Sequence, residues 1–314
     1  MTIKMANTEF LDIRAALQRG IAELRAANIS AYTLAAEILL IHALGRERSW
    51  IYAHPEEQLA ADQQKTFFSL IARRVAGEPV QHLTGHQEFW GLDFAVNPDV
   101  LIPRPETEHV IEVTLDRLAL REVREGRPRT TDGDGLFIAD VGTGSGCIAI
   151  ALAKELPRAR FYASDISRAA LVVAERNAEQ HNVSERIVFS HSSLLDGAND
   201  ANSIADCNHG THFDAVISNP PYIGRREAET LAREVRDHEP PAALFGGQEG
   251  YELYGALVAQ SAQHLRATGL VVLELGYNSL PAVQPLLSEP TWARVSVSND
   301  LAGIPRVIAA EKVR

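Results

Sequence analysis

Cysteine is scarce in this chain: only Cys147 and Cys207 occur among 314 residues, which leaves no disulfide framework and no metal-ligand spacing. Two unpaired thiols suit a reducing compartment, and no metal is expected. Long apolar runs are also missing. The richest, Leu34–Leu44, is broken by Glu37 and His42 and falls well short of the ~20 residues of a membrane span. The opening segment MTIKMANTEF has neither an apolar stretch nor a small-residue cleavage pattern, so a cytoplasmic chain without a leader is the expectation. Basic charge is in deficit, with a net charge of −11. Residues 1–88 are almost neutral, with 9 Lys and Arg against 10 Asp and Glu, so the acidity falls on the remainder. A protein that grips a phosphate backbone needs the opposite balance, which argues against direct nucleic-acid binding.

What is present is an ordinary globular composition, 46% hydrophobic and 23% charged, without repeats or low-complexity tracts. The length suits two domains. Apolar residues recur at helical spacing in three N-terminal stretches. One runs from Phe10 to Leu17 and is ended by Gly20. The next runs from a cap at Ser30 through Leu44 to Gly45, and a third carries Phe67, Leu70, Ile71 and Val75 before Gly77. They predict a small helical bundle over residues 1–78. The aromatic-rich run EFWGLDFAV then predicts a β-hairpin, followed by LIPRPETE, where Pro103 and Pro105 forbid helix until Glu106. Hairpin and proline segment together form a linker over residues 79–108.

Over residues 109–314, a helix to about Leu120 is followed by short apolar runs that alternate with amphipathic helices: LFIADV, RFYASD, RIVFS, FDAVISN and LVVLELG. This is the pattern of a parallel sheet with helical crossovers. A helix near Leu280–Leu287 precedes ARVSVS and RVIAAEKV, expected as an antiparallel edge pair, which gives seven strands in all. Residues 194–212 are polar and are read as a loop without catalytic weight.

Directly after LFIADV comes Gly142-Thr143-Gly144-Ser145-Gly146, opening a helix. Glycines at a strand-to-helix turn let backbone approach a ligand closely. The spacing is G-x-G-x-G rather than the dinucleotide G-x-G-x-x-G, and Asp140 ends the strand. An acid there repels a pyrophosphate and attracts the ammonium of a methionine moiety. Asp165 ends the next strand, 25 residues beyond Asp140, where a carboxylate accepts hydrogens from a ribose diol. Asp140, the three glycines Gly142, Gly144 and Gly146, and Asp165 together favour S-adenosylmethionine over a nicotinamide cofactor.

The strand FDAVIS runs into Asn219-Pro220-Pro221-Tyr222. Two prolines exclude helix, remove two backbone donors and leave carbonyls free, which makes a stiff rack of acceptors beside the cofactor. Such a rack suits a planar amide nitrogen, whose lone pair is delocalised. The Asn219 oxygen and the Pro220 carbonyl each accept one amide hydrogen, Pro221 stiffens the turn, and Tyr222 stacks on the flat group.

With these motifs in place, the chain resembles the protein-(glutamine-N5) methyltransferases that modify peptide chain release factors. The similarity runs through Gly77-Glu78-Pro79-Val80, Glu88-Phe89-Trp90-Gly91, the linker Leu101–Glu108, Asp140–Gly146, Asn219–Tyr222, EPPAALFGGQEG at 239–250 and Leu273–Gly276. It implies a Rossmann-like class I methyltransferase domain of α/β type, with a mostly parallel seven-stranded sheet. A small N-terminal helical-bundle domain that docks the release factor and a β-hairpin linker complete the architecture. It further implies S-adenosylmethionine as cofactor, bound by Asp140, Val141, Gly142, Thr143, Gly144 and Asp165, and methylation of the glutamine in a Gly-Gly-Gln loop, with Asn219–Tyr222 holding the amide. Members often carry an acid and then an aromatic after the third strand, where this sequence has Ser193-Leu194. An adenine contact from Leu194 is therefore one of packing. Gly246-Gly247-Gln248 spells the substrate tripeptide within the enzyme and is read as coincidence.

Rival readings share parts of this pattern. A glutamine methyltransferase of a large-subunit ribosomal protein would keep every catalytic residue. An adenine-N6 DNA methyltransferase would need to grip phosphates and flip a base, against the acidic balance. A non-catalytic module that binds S-adenosylmethionine would have no need of Asn219 or Pro220.

Overall fold

Helices Ile13–Ala26, Tyr32–Leu44, Arg48–Ala53, Ala61–Val75 and Val80–Thr84 bury one shared apolar core that includes Leu24, Leu39, Leu40, Phe67 and Ile71. The computed structural model describes residues 10–124, 132–198 and 212–313. Contacts divide the chain into two units. The first takes residues up to Gly85 together with Ala232–His238, and buried Arg74 ion-pairs with Glu234 inside it. Gly20, expected to stop the first helix, lies within it. A Cβ there would come 2.7 Å from the Phe67 ring, so the glycine permits close helix packing and ends nothing. The second helix starts at Tyr32 after Ala31, not at a Ser30 cap, and no side chain caps it. Its end at Gly45, in the left-handed region, is as expected. The helices Arg48–Ala53 and Val80–Thr84 are too short to show a period and were not foreseen.

The second unit, His86–Leu231 with Glu239–Arg314, opens with the expected hairpin, β1 (His86–Phe89) against β2 (Leu92–Ala95). Its main sheet contains β3 (Phe137–Val141), β4 (Arg160–Asp165), β5 (Ile187–His191) and β6 (Phe213–Ser218). Two short strands, β7 (Ile223–Gly224) and β8 (Phe245–Gly247), pair with each other in parallel. The main sheet is completed by β9 (Leu265–Glu274), β10 (Trp292–Asn299) and β11 (Pro305–Lys312), in the order β10-β11-β9-β6-β3-β4-β5. Strands β9, β6, β3, β4 and β5 are parallel, and β11 and β10 add the expected antiparallel edge. The sequence suggested a start for β9 near Leu270. The structure extends it back to Leu265, which pairs with Phe213 across a register shift.

Strands β3 and β6 are buried along their whole length, as central parallel strands covered on both faces must be. Successive residues alternate between two cores. Ile138, Phe161, Ile217 and Val272 join one; Phe137, Val141, Tyr162, Val216 and Leu273 join the other. From β3 the chain runs outward through β4 to β5, then crosses to β6 on the opposite side of β3. Strand order therefore reverses at β3, and the carboxyl ends of β4, β3 and β6 border the crevice where such sheets bind ligands. No described helix is long and apolar enough to cross a membrane.

Candidate active site

A cavity of about 340 Å³ opens at that reversal point, within the usual range for a small-molecule site. Its floor is the loop after β3. Gly142 and Gly144 both have positive φ, and nothing lies within 4 Å of where either Cβ would stand, so backbone alone faces the space. The amides of Gly142 and Thr143 donate to Ser164 O at 2.8 and 2.9 Å, which ties the loop to β4. Asp165 lines the cavity; its carboxylate accepts from Gly144 N at 2.9 Å and Ser167 N at 2.8 Å. These bonds fix the carboxylate at the rim and leave lone pairs for a diol. Leu194 lines the same wall with φ +48, and its carbonyl accepts from Ser164 Oγ at 2.7 Å.

Three expected contacts are built differently. Asp140 does not line the cavity but lies beneath the loop, where Oδ2 accepts from Thr143 Oγ1 at 2.7 Å and Ala149 N at 3.2 Å. It clamps the loop with that oxygen, its buried Oδ1 has no hydrogen-bond partner, and burial pushes its carboxyl up to about 6. Thr143 is that clamp's partner and not a wall residue. Tyr222 is also off the wall. Its ring lies against Gly276, where a Cβ would come 2.9 Å from Cδ2, and its hydroxyl donates to Glu274 Oε1 at 3.3 Å. Stacking of Tyr222 on the acceptor is thus not prepared in this structure, and burial raises its hydroxyl pKa.

Val141, Asn219, Pro220 and Pro221 do line the cavity. Asn219 donates from Nδ2 to Thr107 Oγ1 at 3.0 Å, and Ser218 Oγ reaches Val141 O at 2.6 Å, joining β6 to β3.

Other contributors come from segments that carry the family resemblance but that no sequence reading placed at the site. Val100 and Leu101 of the proline linker reach the cavity, as do Pro240, Ala243 and Phe245. Buried Glu239 joins these segments: Oε2 accepts from Ile102 N at 3.2 Å, and Oε1 accepts from Arg104 Nη2. Glycine packing accounts for GGQEG. A Cβ on Gly246 would stand 2.1 Å from Pro221 O, and one on Gly247 2.2 Å from Glu252 Cδ. The Glu252 carboxylate accepts from the amides of Gln248, Glu249 and Gly250, and those bonds lower its pKa. Gly246-Gly247-Gln248 therefore belongs to a loop wrapped on a carboxylate. Cys147 is buried, which pushes its thiol up to about 12. Cys207 and most of the 194–212 loop lie outside the described residues. Among the described residues no cluster has the make-up of a metal site.

These residues fit S-adenosylmethionine: open backbone at two glycines, a carboxylate on the second strand end and an apolar wall at Leu194. Residues 15–85 match the family described as PrmC N-terminal domain, and residues 130–237 the family described as methyltransferase small domain. The hMettl16 catalytic domain shares the fold, with a TM-score of 0.53 at 18% identity over 78% of this chain and 84% of that one. The sheet is thus that of a Rossmann-like class I methyltransferase. A release factor glutamine methyltransferase of Koribacter versatilis is 41% identical over 302 residues, covering 96% of this chain and 99% of its own. Another, of Nitratidesulfovibrio vulgaris, is 37% identical over 98% of this chain and 97% of its own. With both chains matched almost from end to end, this chain belongs to the release factor glutamine methyltransferase family.

Proposed function

We propose that this chain transfers a methyl group from S-adenosylmethionine to the side-chain amide nitrogen, N5, of the glutamine in the Gly-Gly-Gln loop of class I peptide chain release factors, modulating translation termination in the cytoplasm. The observation that carries the reading is one cavity whose wall runs from Gly142, Gly144 and Asp165 to Asn219 and Pro220. Val141, Gly142, Gly144, Asp165 and Leu194 hold the cofactor, and Asp140 with Thr143 keeps the glycine loop in shape. When bound, S-adenosylmethionine supplies an electrophilic methyl on a sulfonium.

Asn219 and Pro220 solve the remaining problem, a weak nucleophile. Each offers one oxygen to one hydrogen of the glutamine NH₂, which fixes the amide plane and turns the nitrogen toward the methyl. Fixed alignment of this kind supplies up to ~7–11 kcal/mol of the barrier. Methylation makes the nitrogen acidic, so the proton leaves without a strong base. Pro221 and Tyr222 brace the turn. The helical unit docks the release factor, and no direct nucleic-acid contact is required.

Incubation with methyl-labelled cofactor and purified release factor, followed by mass mapping, tests the reading. Label on the Gly-Gly-Gln glutamine is expected. Label on a large-subunit ribosomal protein instead, or cofactor binding without transfer to any protein, would overturn it.

A further inference from the structure

The side chain of an asparagine can turn over at little steric cost, exchanging its oxygen and nitrogen, so the hydrogen bonds around it decide which atom faces a substrate. Asn219 has such a neighbour. Its Nδ2 donates to Thr107 Oγ1 at 3.0 Å. Thr107 is 2% exposed, in the short 3₁₀ turn Pro105–Thr107 of the proline linker, and its hydroxyl sits beside the carboxylate of Glu274 at the end of β9, whose pKa it lowers. Glu274 is 1% exposed and has Tyr222 hydroxyl on Oε1, Tyr254 hydroxyl on its main-chain carbonyl at 2.7 Å, and a buried Oε2 without a partner.

A hydroxyl has one hydrogen. An ionised carboxylate accepts and never donates, so when Glu274 is ionised the Thr107 hydrogen turns toward it and Oγ1 offers Asn219 a lone pair, the one that Nδ2 meets at 3.0 Å. Asn219 must then turn its NH₂ to Thr107, and Oδ1 is left as its acceptor for the cavity. We propose that Thr107 is a positioning residue: bridging Glu274 and Asn219, it fixes the Asn219 amide in the one orientation that accepts a hydrogen from the substrate amide. The opposite orientation would set one NH₂ against another. This rests on the glutamine-amide reading above and adds to it a residue that touches neither substrate nor cofactor.

Thr107→Val removes the hydroxyl at nearly constant volume, and Thr107→Ser restores it. For Thr107→Val, kcat on release factor is expected to fall roughly ten- to hundred-fold, with KM and the Kd for S-adenosylhomocysteine within about two-fold of wild type, since the change lies in alignment. Thr107→Ser is expected to recover kcat to within about three-fold. A readout without substrate accompanies these. The Asn219 side-chain NH₂ signals in a ¹⁵N-correlated NMR spectrum, identified by their loss in Asn219→Asp, should be protected from exchange in wild type and Thr107→Ser and lose protection in Thr107→Val. If Thr107→Val does not fold, Thr107→Ala compared with Thr107→Ser gives the same contrast. Wild-type kcat and unchanged NH₂ protection in the hydroxyl-less variant would overturn the proposal, as would failure of serine to rescue a protein of wild-type Tm. A protected NH₂ in an enzyme that methylates no release factor would instead sink the functional reading and leave the orientation standing.

Discussion

Asn219 and Asp165 sit on one cavity wall but serve different partners, so their variants should separate. Asp165→Ala removes a carboxylate whose charge-assisted hydrogen bonds to a diol contribute ~1.5–3 kcal/mol each, and it frees Gly144 N and Ser167 N. Calorimetry should show S-adenosylhomocysteine binding weakened at least about ten-fold; an unchanged Kd would remove Asp165 from the cofactor site. Asn219→Ala should leave that Kd within about two-fold and cut single-turnover methylation by about 10²-fold or more. Glu274 makes the site sensitive to pH. Burial first, then Glu106, pushes its carboxyl up to about 7, against the pull of Thr107, Tyr222 and Arg306. Once protonated, Glu274 donates to Thr107, whose hydrogen is then free for Asn219 Oδ1, the wrong orientation. Methylation should therefore rise with pH through about 7, and Glu274→Gln should flatten that rise. Stability moves the other way. A folded pKa of about 7 against an ordinary 4.5 means that Glu274 favours the fold fully below pH 4.5, and that this contribution is lost as pH rises through 7. At 1.36 kcal/mol per unit this amounts to ~3 kcal/mol. Glu274→Gln should accordingly raise Tm at pH 8 and leave it little changed at pH 4.5, which thermal melts across that range would check.

At the scale of elements, the acceptor turn is held by its neighbour loop more than by its own prolines. Gly246 in β8 lies where a Cβ would meet Pro221 O at 2.1 Å and Gly250 O at 2.4 Å, both backbone atoms that cannot swing away. Gly246→Ala should open the β7–β8 pair, cost ~1–3 kcal/mol of stability and lower turnover at least about ten-fold. Gly255→Ala, in helix Glu252–His264 with nothing within 4 Å of its Cβ position, should be neutral or stabilising by ~0.5–1 kcal/mol. Equal Tm values for the two variants would remove the steric argument. The same contrast shows what sequence makes legible. G-x-G-x-G after a strand and Asn-Pro-Pro-Tyr after another are contiguous, and their chemistry follows from a few residues and the strand-end rule. The bonds from Asn219 to Thr107, from Tyr222 to Glu274 and from Ile102 to Glu239 span 112, 52 and 137 residues, and no local period encodes them. Asp140 and Tyr222 lie off the cavity wall for a related reason. A strand-end position is readable, whereas the direction in which its side chain is spent depends on Ala149 and Gly276 packed around it. Gly20 was misread because a glycine that ends a helix and one that admits Phe67 look alike until the partner helix is known.

Across the whole molecule, the helical unit has its own apolar core and the described residues that line the cavity all belong to the other unit, so its reason for existing must be sought outside the chemistry. A glutamine side chain is small and occurs in nearly every protein. A cavity that recognises its amide through Asn219 and Pro220 has too little to grip for choosing one protein from another. Discrimination then requires a second contact remote from the reacting nitrogen, whose binding energy holds the Gly-Gly-Gln loop in place while methyl transfer occurs. The helical unit is our candidate for that contact. Removal of residues 1–85 should leave S-adenosylhomocysteine affinity within about two-fold, because Gly142, Gly144, Asp165 and Leu194 all belong to the other unit. Efficiency on the intact release factor should fall by about 10²-fold or more, the loss expected when remote binding energy no longer aligns the substrate. Methylation of a short Gly-Gly-Gln peptide, slow from the outset, should change by less than about three-fold, since the peptide never reached the missing surface. The excision deprives Glu234 of Arg74, so circular dichroism and the cofactor Kd must first show the remaining unit folded. If the folded truncation lost peptide and whole-protein activity in equal measure, the helical unit would be supporting the catalytic unit rather than choosing its substrate.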